Sequence, residues 1–254
     1  RILQEDTVKM IVIIPAYQPD RKLVDLVGRL KRETDYDILI VDDGSDESCR
    51  NVFEEVAAHA VVLRHEGNCG KGAALKTAYA YAKTAYAEDE GLVTVDADGQ
   101  HLTHDIVRVS EAWQSQPDAL VLGSRRFTGN VPFKSRAGNA ITRVVFAVST
   151  GVRVYDTQTG LRAFSVKRIP EMFGLSGDRY EYEINVLLYA TKHGVPIVEV
   201  PIDTVYINEN ASSHFRAVSD AWRIYKMILL FAASSLACAV LDYILLIVLS
   251  AATS

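Results

Sequence analysis

The sequence lacks the cysteine pairs expected of a disulfide-bonded or zinc-binding chain. Its three cysteines, Cys49, Cys69 and Cys238, lie far apart and form no C-x-x-C pair. This predicts reduced thiols in a cytosolic setting, with neither a disulfide framework nor a cysteine metal site. An excess of positive charge is also missing, since the net charge is -5, and this argues against a nucleic-acid partner.

Repeats, leader peptides and standard phosphate-binding motifs are missing as well. The apolar run 10–14 is too short, and too charged in its approach, to be a signal peptide. The stretch Gly70-Lys71-Gly72 has neither the spacing of a P-loop nor that of a dinucleotide-binding G-x-G-x-x-G. What is present is a chain of 254 residues, 49% of them hydrophobic, which suffices for one sizeable α/β domain.

The most informative stretch is an apolar run that ends in two aspartates. Residues 92–95 read as a buried strand, and Asp96 and Asp98 follow it with one residue between them. Two carboxylates that form only part of a coordination shell suit Mg²⁺ or Mn²⁺ shared with phosphate oxygens. The small residues Ala97 and Gly99 leave room for such a substrate. An isolated Asp-x-Asp is more often a solvated turn, so the surrounding residues decide the interpretation.

Short apolar runs alternate with segments of helical periodicity along the chain. Strands are predicted at 8–14, 37–41, 60–63, 92–95, 119–122 and 196–205, and helices at 73–85, 105–113, 137–148 and 180–192. This alternation predicts an α/β fold with a mainly parallel open sheet covered by helices on both faces. In such sheets ligands bind outside the carboxyl ends of the strands.

Other chemically active residues follow the predicted strands or begin helices. Tyr17, Asp42, Lys71 and Arg125 all occupy such positions, so one fold brings them to the edge that carries Asp96. A carboxylate can accept hydrogen bonds from a nucleobase, a tyrosine can stack on it, and lysine and arginine can offset phosphate charge. Each residue alone also fits a turn, a solvated side chain or a surface ion pair. Together they predict a binding crevice.

Five motifs resemble those of family 2 inverting glycosyltransferases, in the same order. They are Pro15-Ala16-Tyr17, Asp42-Asp43-Gly44-Ser45-Asp46, Gly70-Lys71-Gly72-Ala73-Ala74-Leu75, Asp96-Ala97-Asp98-Gly99-Gln100-His101 and Gly123-Ser124-Arg125. The subgroup that the chain most resembles contains dolichyl-phosphate mannose synthases and bacterial polyprenyl-phosphate glycosyltransferases. The resemblance implies a Rossmann-like GT-A fold, a nucleotide diphosphate sugar as donor, and Mg²⁺ or Mn²⁺ at Asp96 and Asp98.

The resemblance also implies roles for individual residues. Asp98, Arg125 and Arg136 are expected to be catalytic. The residues expected to hold the nucleotide sugar are Pro15, Ala16, Tyr17, Asp42, Asp43, Lys71, Asp96, Ala97 and Gln100. Those expected near the acceptor are Lys134, Ser213, His214 and Arg216. The stretch from Asp156 to Arg162 resembles a signature that shapes the floor of the sugar site, with Gly160 allowing a close backbone approach.

The end of the chain predicts a membrane anchor. Residues 227–249 are apolar apart from Asp242 and would span about 34 Å as a helix, enough to cross a bilayer. This divides the chain into a catalytic domain (1–215), a juxtamembrane segment (216–226) and a transmembrane helix (227–249) that resembles the first span of a truncated GtrA-like domain. The basic residues Arg216, Arg223 and Lys226 predict a catalytic domain on the cytoplasmic side of the cell membrane. Copies of the chain are also expected to associate through such helices.

These expectations combine into one reaction with two alternatives. The reaction is transfer of a hexose, from a UDP-hexose or from GDP-mannose, to a polyprenyl (undecaprenyl) phosphate. This acceptor is already ionised, so no general base is required. A hydroxyl acceptor in polysaccharide synthesis would need a base, for which the sequence offers Asp178, Glu181 and Glu183. The more distant alternative is a nucleotide-sugar-binding module without catalysis.

Overall fold

In the computed structural model of the protein, residues 8–125, 133–203 and 219–252 are described. The strands are β1 (Met10–Ala16), β2 (Asp37–Asp42), β3 (Val61–Arg64), β4 (Gly91–Thr94), β5 (Leu120–Arg125), β6 (Arg162–Ser165) and β7 (Ile197–Ile202). The helices are α1 (Arg21–Glu33), α2 (Arg50–Val56), α3 (Lys71–Ala85), α4 (Thr103–Ser115), α5 (Phe133–Thr150), α6 (Ile169–Phe173), α7 (Glu181–Lys192) and α8 (Ser219–Ala252).

In the described part of the chain the strands form one seven-stranded sheet in the order β3-β2-β1-β4-β6-β5-β7. Strand β1 pairs in parallel with β2 and β4, and β5 pairs in parallel with β7. Strand β6 runs antiparallel to both of its neighbours, β4 and β5. The predicted mainly parallel sheet is therefore confirmed.

The core lies on both faces of this sheet because alternate residues of a strand point to opposite sides. On one face, Ile11 and Ile13 of β1 pack in a cluster with buried residues of α3 and α7. On the other face, Val12 and Ile14 pack in a cluster with buried residues of α1 and α4. Burial on both faces explains why the parallel strands read as continuous apolar runs.

Each strand predicted from the sequence overlaps an observed strand, with shifted ends. Strand β1 extends to Ala16 and β5 to Arg125, because both keep pairing with a parallel neighbour through Ala16↔Asp42 and Arg125↔Ile202. Strand β6 was not predicted. Its four residues, Arg162–Ser165, are too few for a periodic pattern to be recognised.

Helix α8 starts before the predicted helix at 227–249 and covers Ser219–Ala252. Within the ranges that the structure describes, no helix combines the length and the apolar character that a membrane crossing requires. The predicted transmembrane helix is therefore not supported, and neither is the predicted association of copies through membrane helices. Large apolar side chains of α8 are nevertheless exposed, among them Leu236, Leu241, Ile244, Leu245 and Leu246.

Candidate active site

The candidate site lies at the edge where β1, β2 and β4 end. The backbone joins these ends directly, since the N–H of Asp43 donates to the carbonyl of Ala16 over 2.8 Å, and the N–H of Val95 donates to that of Ile13 over 2.9 Å. Asp96 follows Val95 immediately. Parallel strands thus bring the first, second and fourth predicted motifs to one edge, as the alternating pattern predicted.

The acidic pair forms the centre of this edge. Asp96 and Asp98 are both partly exposed, and one oxygen of Asp98 accepts the N–H of Gln100 over 3.0 Å. Burial, and then the negative charge of Asp96, raise the pKa of Asp98. A divalent cation would relieve the repulsion between two such carboxylates, and oxygen ligands are those that Mg²⁺ and Mn²⁺ prefer. The residues present therefore fit the predicted metal.

Lys71, the first residue of α3, places an ammonium group beside Asp96. Its Nζ lies 2.7 Å from Oδ1 of Asp96 and 2.9 Å from Oε1 of Glu183. Burial alone would raise the pKa of Asp96, but the charge of Lys71 and then the nearby His101 hold it well below its usual value. Burial would lower the pKa of Lys71, yet the charges of Asp96 and Glu183 raise it. Lys71 and Asp96 are therefore both charged at neutral pH.

Gly160 closes the site on the side of Asp96. A Cβ at this position would collide with both carboxylate oxygens of Asp96. The backbone is held there because the hydroxyl of Thr94 donates to the carbonyl of Gly160 over 2.7 Å. This geometry agrees with the close backbone approach that the resemblance implied.

Arg162 holds the loop that carries Gly160, a role that was not predicted from the sequence. Its guanidinium is buried and donates to backbone carbonyls of Thr159 over 2.9 Å and Glu183 over 2.6 Å, with a longer bond to Thr157. It thereby joins the loop that carries Gly160 to the first turn of α7. The signature ending in Arg162 was visible in the sequence, but nothing in it indicated carbonyl partners.

Asp43, predicted to bind the nucleotide sugar, is buried and holds the glycine-rich loop. Its Oδ1 accepts the N–H of Cys69 over 2.9 Å and its Oδ2 that of Gly70 over 2.8 Å. Nδ1 of His65 lies 2.8 Å from Oδ1, and Nε2 of His65 lies 2.9 Å from the hydroxyl of Thr77. The carboxylate thus fixes the start of α3, on which Lys71 depends.

The residues predicted to hold the nucleoside lie together at the ends of β1 and β2. Ala16 is paired with Asp42 across the two strands, and Pro15 and Tyr17 flank it. Asp42 is buried, accepts the N–H of Ser45 over 2.8 Å and forms an ion pair with Nε of Arg64 at 3.2 Å. Ala97 and Gln100 are partly exposed on the loop after β4. The structure therefore brings these residues to one edge of the sheet, and their contact with a nucleoside stays a prediction.

Arg125 is bound by a buried carboxylate. Its Nε and Nη2 donate to the two oxygens of Asp156 over 2.6 and 3.1 Å. Asp156 is in turn positioned by Glu199 of β7, which accepts the backbone N–H groups of Tyr155 and Asp156. The residue predicted to meet phosphate thus also joins the end of β5 to the loop before β6.

The acceptor-side predictions cannot be compared with side-chain positions. Ser213, His214 and Arg216 lie outside the described residues. Lys134 and Arg136 fall within the first turns of α5 (Phe133–Thr150), but their side chains also lie outside the description. Their roles stay predictions.

The three carboxylates considered as general bases have different surroundings. Glu183 is bound to Lys71, and Asp178 is bound to Lys76 at 2.9 Å. One oxygen of Glu181 is buried and has no hydrogen-bond partner among the described residues. Two of the three are therefore already paired with an ammonium group of the protein.

Two other clusters in the described part of the chain bring three potential metal ligands together. They are Asp43, His65 and Cys69, and His104, Asp105 and Asp203. In the first cluster the carboxylate and both ring nitrogens already have partners within the protein. In the second, Asp105 accepts the N–H of Asp203 over 3.0 Å and pairs with Arg108 at 3.1 Å. In both clusters the carboxylate therefore already binds groups of the protein.

Comparison with known proteins defines the class of protein to which the chain belongs. Residues 11–168 match Glycosyl transferase family 2, and the chain belongs to that family of enzymes. None of the matches supports the predicted fusion to a GtrA-like domain.

Individual relatives resemble the chain over most of its length. It is 32% identical over 218 residues to a UDP-N-acetylglucosamine–dolichyl-phosphate N-acetylglucosaminyltransferase of Methanococcus voltae, covering 77% of this chain and 85% of the relative. It is 30% identical over 213 residues to a polyprenol monophosphomannose synthase of Mycolicibacterium smegmatis, covering 77% of each chain. The matches include archaeal and bacterial proteins, so the resemblance is not confined to the bacterial enzymes.

A solved structure shows the same fold. The chain resembles glucosyl-3-phosphoglycerate synthase from Mycobacterium tuberculosis, in complex with Mn²⁺, uridine diphosphate and glucosyl-3-phosphoglycerate, with a TM-score of 0.65. The likeness covers 89% of this chain and 81% of the other at 18% sequence identity. At that identity the comparison supports the GT-A-like fold alone.

Proposed function

We propose that the protein transfers a hexose from a nucleotide diphosphate sugar to a polyprenyl phosphate, with inversion at the anomeric carbon. The observation that carries this proposal is the arrangement of Asp96 and Asp98 at the end of β4, with Lys71 beside them and Gly160 offering no side chain. Such an edge suits a metal-bound diphosphate. The names of the two polyprenyl-phosphate relatives support the acceptor.

On the donor side, Asp96 and Asp98 would hold Mg²⁺ or Mn²⁺, which supplies charge stabilisation to the leaving diphosphate. Lys71 and Arg125 add fixed positive charge at the same edge. Pro15, Ala16, Tyr17 and Asp42 bind the nucleoside in this proposal, and Ala97 and Gln100 line the diphosphate and sugar. Asp43 acts indirectly, by holding the loop that carries Lys71.

On the acceptor side, a phosphate monoester oxygen attacks the anomeric carbon while the bond to the diphosphate breaks. The phosphate is ionised at neutral pH, so no side chain has to remove a proton. The ion pairs that occupy Glu183 and Asp178 support a reaction without a general base. Arg136 and Lys134, with Ser213, His214 and Arg216, are the proposed contacts of the acceptor phosphate.

The sugar and the nucleobase of the donor are proposed more broadly. A UDP-hexose is favoured, and GDP-mannose is the alternative, since the relatives are named for UDP-N-acetylglucosamine and for mannose. A hydroxyl acceptor is the second candidate reaction, and the unpaired oxygen of Glu181 is the observation that favours it. A binding module without catalysis would have no need for both Asp96 and Asp98.

The proposed site of action is the cytoplasmic face of the cell membrane, where a polyprenyl phosphate is accessible. The exposed apolar side chains of α8, such as Leu241, Leu245 and Leu246, support contact with lipid. Co-sedimentation with vesicles that contain polyprenyl phosphate measures this contact. Protein that stays in the supernatant at every lipid concentration would contradict it.

The reaction is tested by mass spectrometry of lipid extracts. Detergent-purified protein is incubated with Mn²⁺, undecaprenyl phosphate and a panel of UDP- and GDP-sugars. The proposal predicts a polyprenyl-phosphate hexose that is absent when a chelator is added. Release of nucleoside diphosphate without a lipid product would instead indicate a hydroxyl acceptor, and Glu181→Gln would then be the variant to examine first.

A further inference from the structure

Lys71 is held between two carboxylates that belong to different parts of the chain. Its Nζ lies 2.7 Å from Oδ1 of Asp96 and 2.9 and 3.0 Å from the two carboxylate oxygens of Glu183. The side chains of Lys71 and Glu183 are only 14% and 10% exposed. An ammonium group in this setting has its charge balanced by the protein itself.

The contact with Asp96 uses one of the two oxygens that this residue could offer to a metal ion. The other oxygen, Oδ2, lies 3.5 Å from Nε2 of His101, and a Cβ at Gly160 would collide with both oxygens. Both oxygens thus have close neighbours, and the neighbour of Oδ1 is the ammonium group of Lys71. A divalent cation at Oδ1 and an ammonium group 2.7 Å from that oxygen would repel each other, so the two compete.

A donor diphosphate changes this balance because it brings negative charge to the same place. We infer that Lys71 is an exchangeable counter-cation, which neutralises Asp96 before metal and donor bind and turns to the diphosphate afterwards, while Glu183 is the positioning residue that keeps it within reach of both. The ammonium group then never lacks an anionic partner. It offsets charge on the leaving diphosphate without any change of its own protonation.

The framework around Glu183 suits a positioning role. Its backbone carbonyl accepts Nη1 of the buried Arg162 over 2.6 Å. The starts of α3 and α7 are also in direct contact, since the N–H of Ala73 donates to the carbonyl of Asp178 over 3.0 Å and a Cβ at Gly72 would lie 2.7 Å from Cβ of Tyr182. The carboxylate of Glu183 is thus fixed relative to the first residue of α3.

The inference rests on the proposed function only for a metal and a nucleoside diphosphate at this edge. The first test is the affinity of the metal-stripped protein for Mn²⁺ alone, measured from the electron paramagnetic resonance signal of free Mn²⁺. Lys71→Met should bind Mn²⁺ about tenfold more tightly than the wild type, because a competing charge is removed. Glu183→Gln should bind Mn²⁺ more weakly, because Lys71 then depends on Asp96 alone.

The matched control is Lys76→Met. Lys76 lies on the same helix and pairs with Asp178 at 2.9 Å, so this variant loses the same charge away from Asp96 and should keep the wild-type affinity for Mn²⁺. If Lys71→Met does not fold, Lys71→Gln carries the same expectation. Weaker or unchanged Mn²⁺ binding by the folded Lys71 variant would overturn the exchange. A merely structural role of Lys71 predicts a loss of affinity for Mn²⁺ in that variant.

The second test is a double-mutant cycle on UDP binding in saturating Mn²⁺, measured by calorimetry. Glu183→Gln should weaken UDP binding about tenfold when Lys71 is present and should not weaken it in the Lys71→Met background, because the effect passes through Lys71. Equal losses in both backgrounds would overturn the positioning role. Neither titration contains an acceptor, so a failure to glycosylate polyprenyl phosphate leaves both results interpretable.

Discussion

The two halves of the sheet's carboxyl edge use charged side chains in different ways. At the ends of β1, β2 and β4, Asp96 and Asp98 remain partly exposed on the loop, next to Lys71. On the side of β5 and β6, Arg125 is bound by Asp156 and Arg162 by backbone carbonyls. In the first half the acidic pair stays partly exposed, whereas in the second half the charged side chains hold loops together.

This difference explains why residue type alone is a poor guide to role. Arg125 is the last residue of β5 and Asp96 follows β4, and both were predicted to contact the donor. Arg125 has a fully buried carboxylate partner, Asp156, so part of its role is structural. Variants on the two halves should therefore fail in different assays: activity and metal binding for the first, folding stability for the second.

The largest effect is expected on the first half, for Asp98→Ala. Removing a carboxylate from the proposed metal site should lower turnover by about a thousandfold, with an unchanged circular dichroism spectrum because Asp98 lies in a loop. Initial rates with the best donor measure this. Asp89→Ala, which removes a carboxylate from an exposed turn, should keep the wild-type rate; wild-type transfer by Asp98→Ala would remove the metal assignment.

The next effect is expected where the two halves meet, for Gly160→Ala. The added methyl group collides with Asp96 and displaces it, which should lower kcat/KM about a hundredfold and weaken Mn²⁺ binding. Gly174→Ala is the matched control, because a Cβ there has its nearest neighbour at 3.8 Å. Equal kinetics for the two variants would mean that Gly160 does not shape the site.

The second half is tested by Arg162→Met, which leaves buried carbonyls of Thr157, Thr159 and Glu183 without their donor. The free energy of unfolding should fall by about 3 kcal/mol, measured by urea denaturation. Arg50→Met removes a guanidinium from exposed ion pairs with Glu47 and Glu54 and should leave the midpoint unchanged. A stable Arg162→Met with normal activity would contradict the division between the two halves.

The smallest effect is expected for Thr94→Val, which removes the single hydroxyl that binds the carbonyl of Gly160. The shape is kept, so the free energy of unfolding should fall by about 1 kcal/mol, with a modest loss of activity. Thr94→Ser restores the hydroxyl and should recover most of the stability. If Thr94→Ser is as unstable as Thr94→Val, packing of the methyl group matters more than the hydrogen bond.

The first half of the fold could be predicted from the sequence because each of its signals is local. Buried strands such as β1 appear as apolar runs, and Asp42 and Asp96 stand directly at their ends. Their convergence then follows from parallel pairing. Helix α3, predicted at 73–85, is likewise observed at Lys71–Ala85.

The second half could not be predicted to the same extent because its contacts join distant residues. Strand β6 has four residues, and the partners of Arg162 are carbonyls that any sequence possesses. The pairing of Glu183 with Lys71 connects positions 112 residues apart, so the sequence suggested a general base where the structure has an ion pair. Asp43 was grouped with the ligand-binding residues for the same reason, since only the fold reveals its bonds to the glycine-rich loop.

The most direct measurement compares two acceptors that differ in one group. The protein, Mn²⁺ and the best donor sugar are incubated with undecaprenyl phosphate or with undecaprenol, and glycosylated lipid is quantified by mass spectrometry. The proposed reaction, which has no general base, predicts product from the phosphate and none from the alcohol. Product from the alcohol, at a rate equal to or above that from the phosphate, would contradict it.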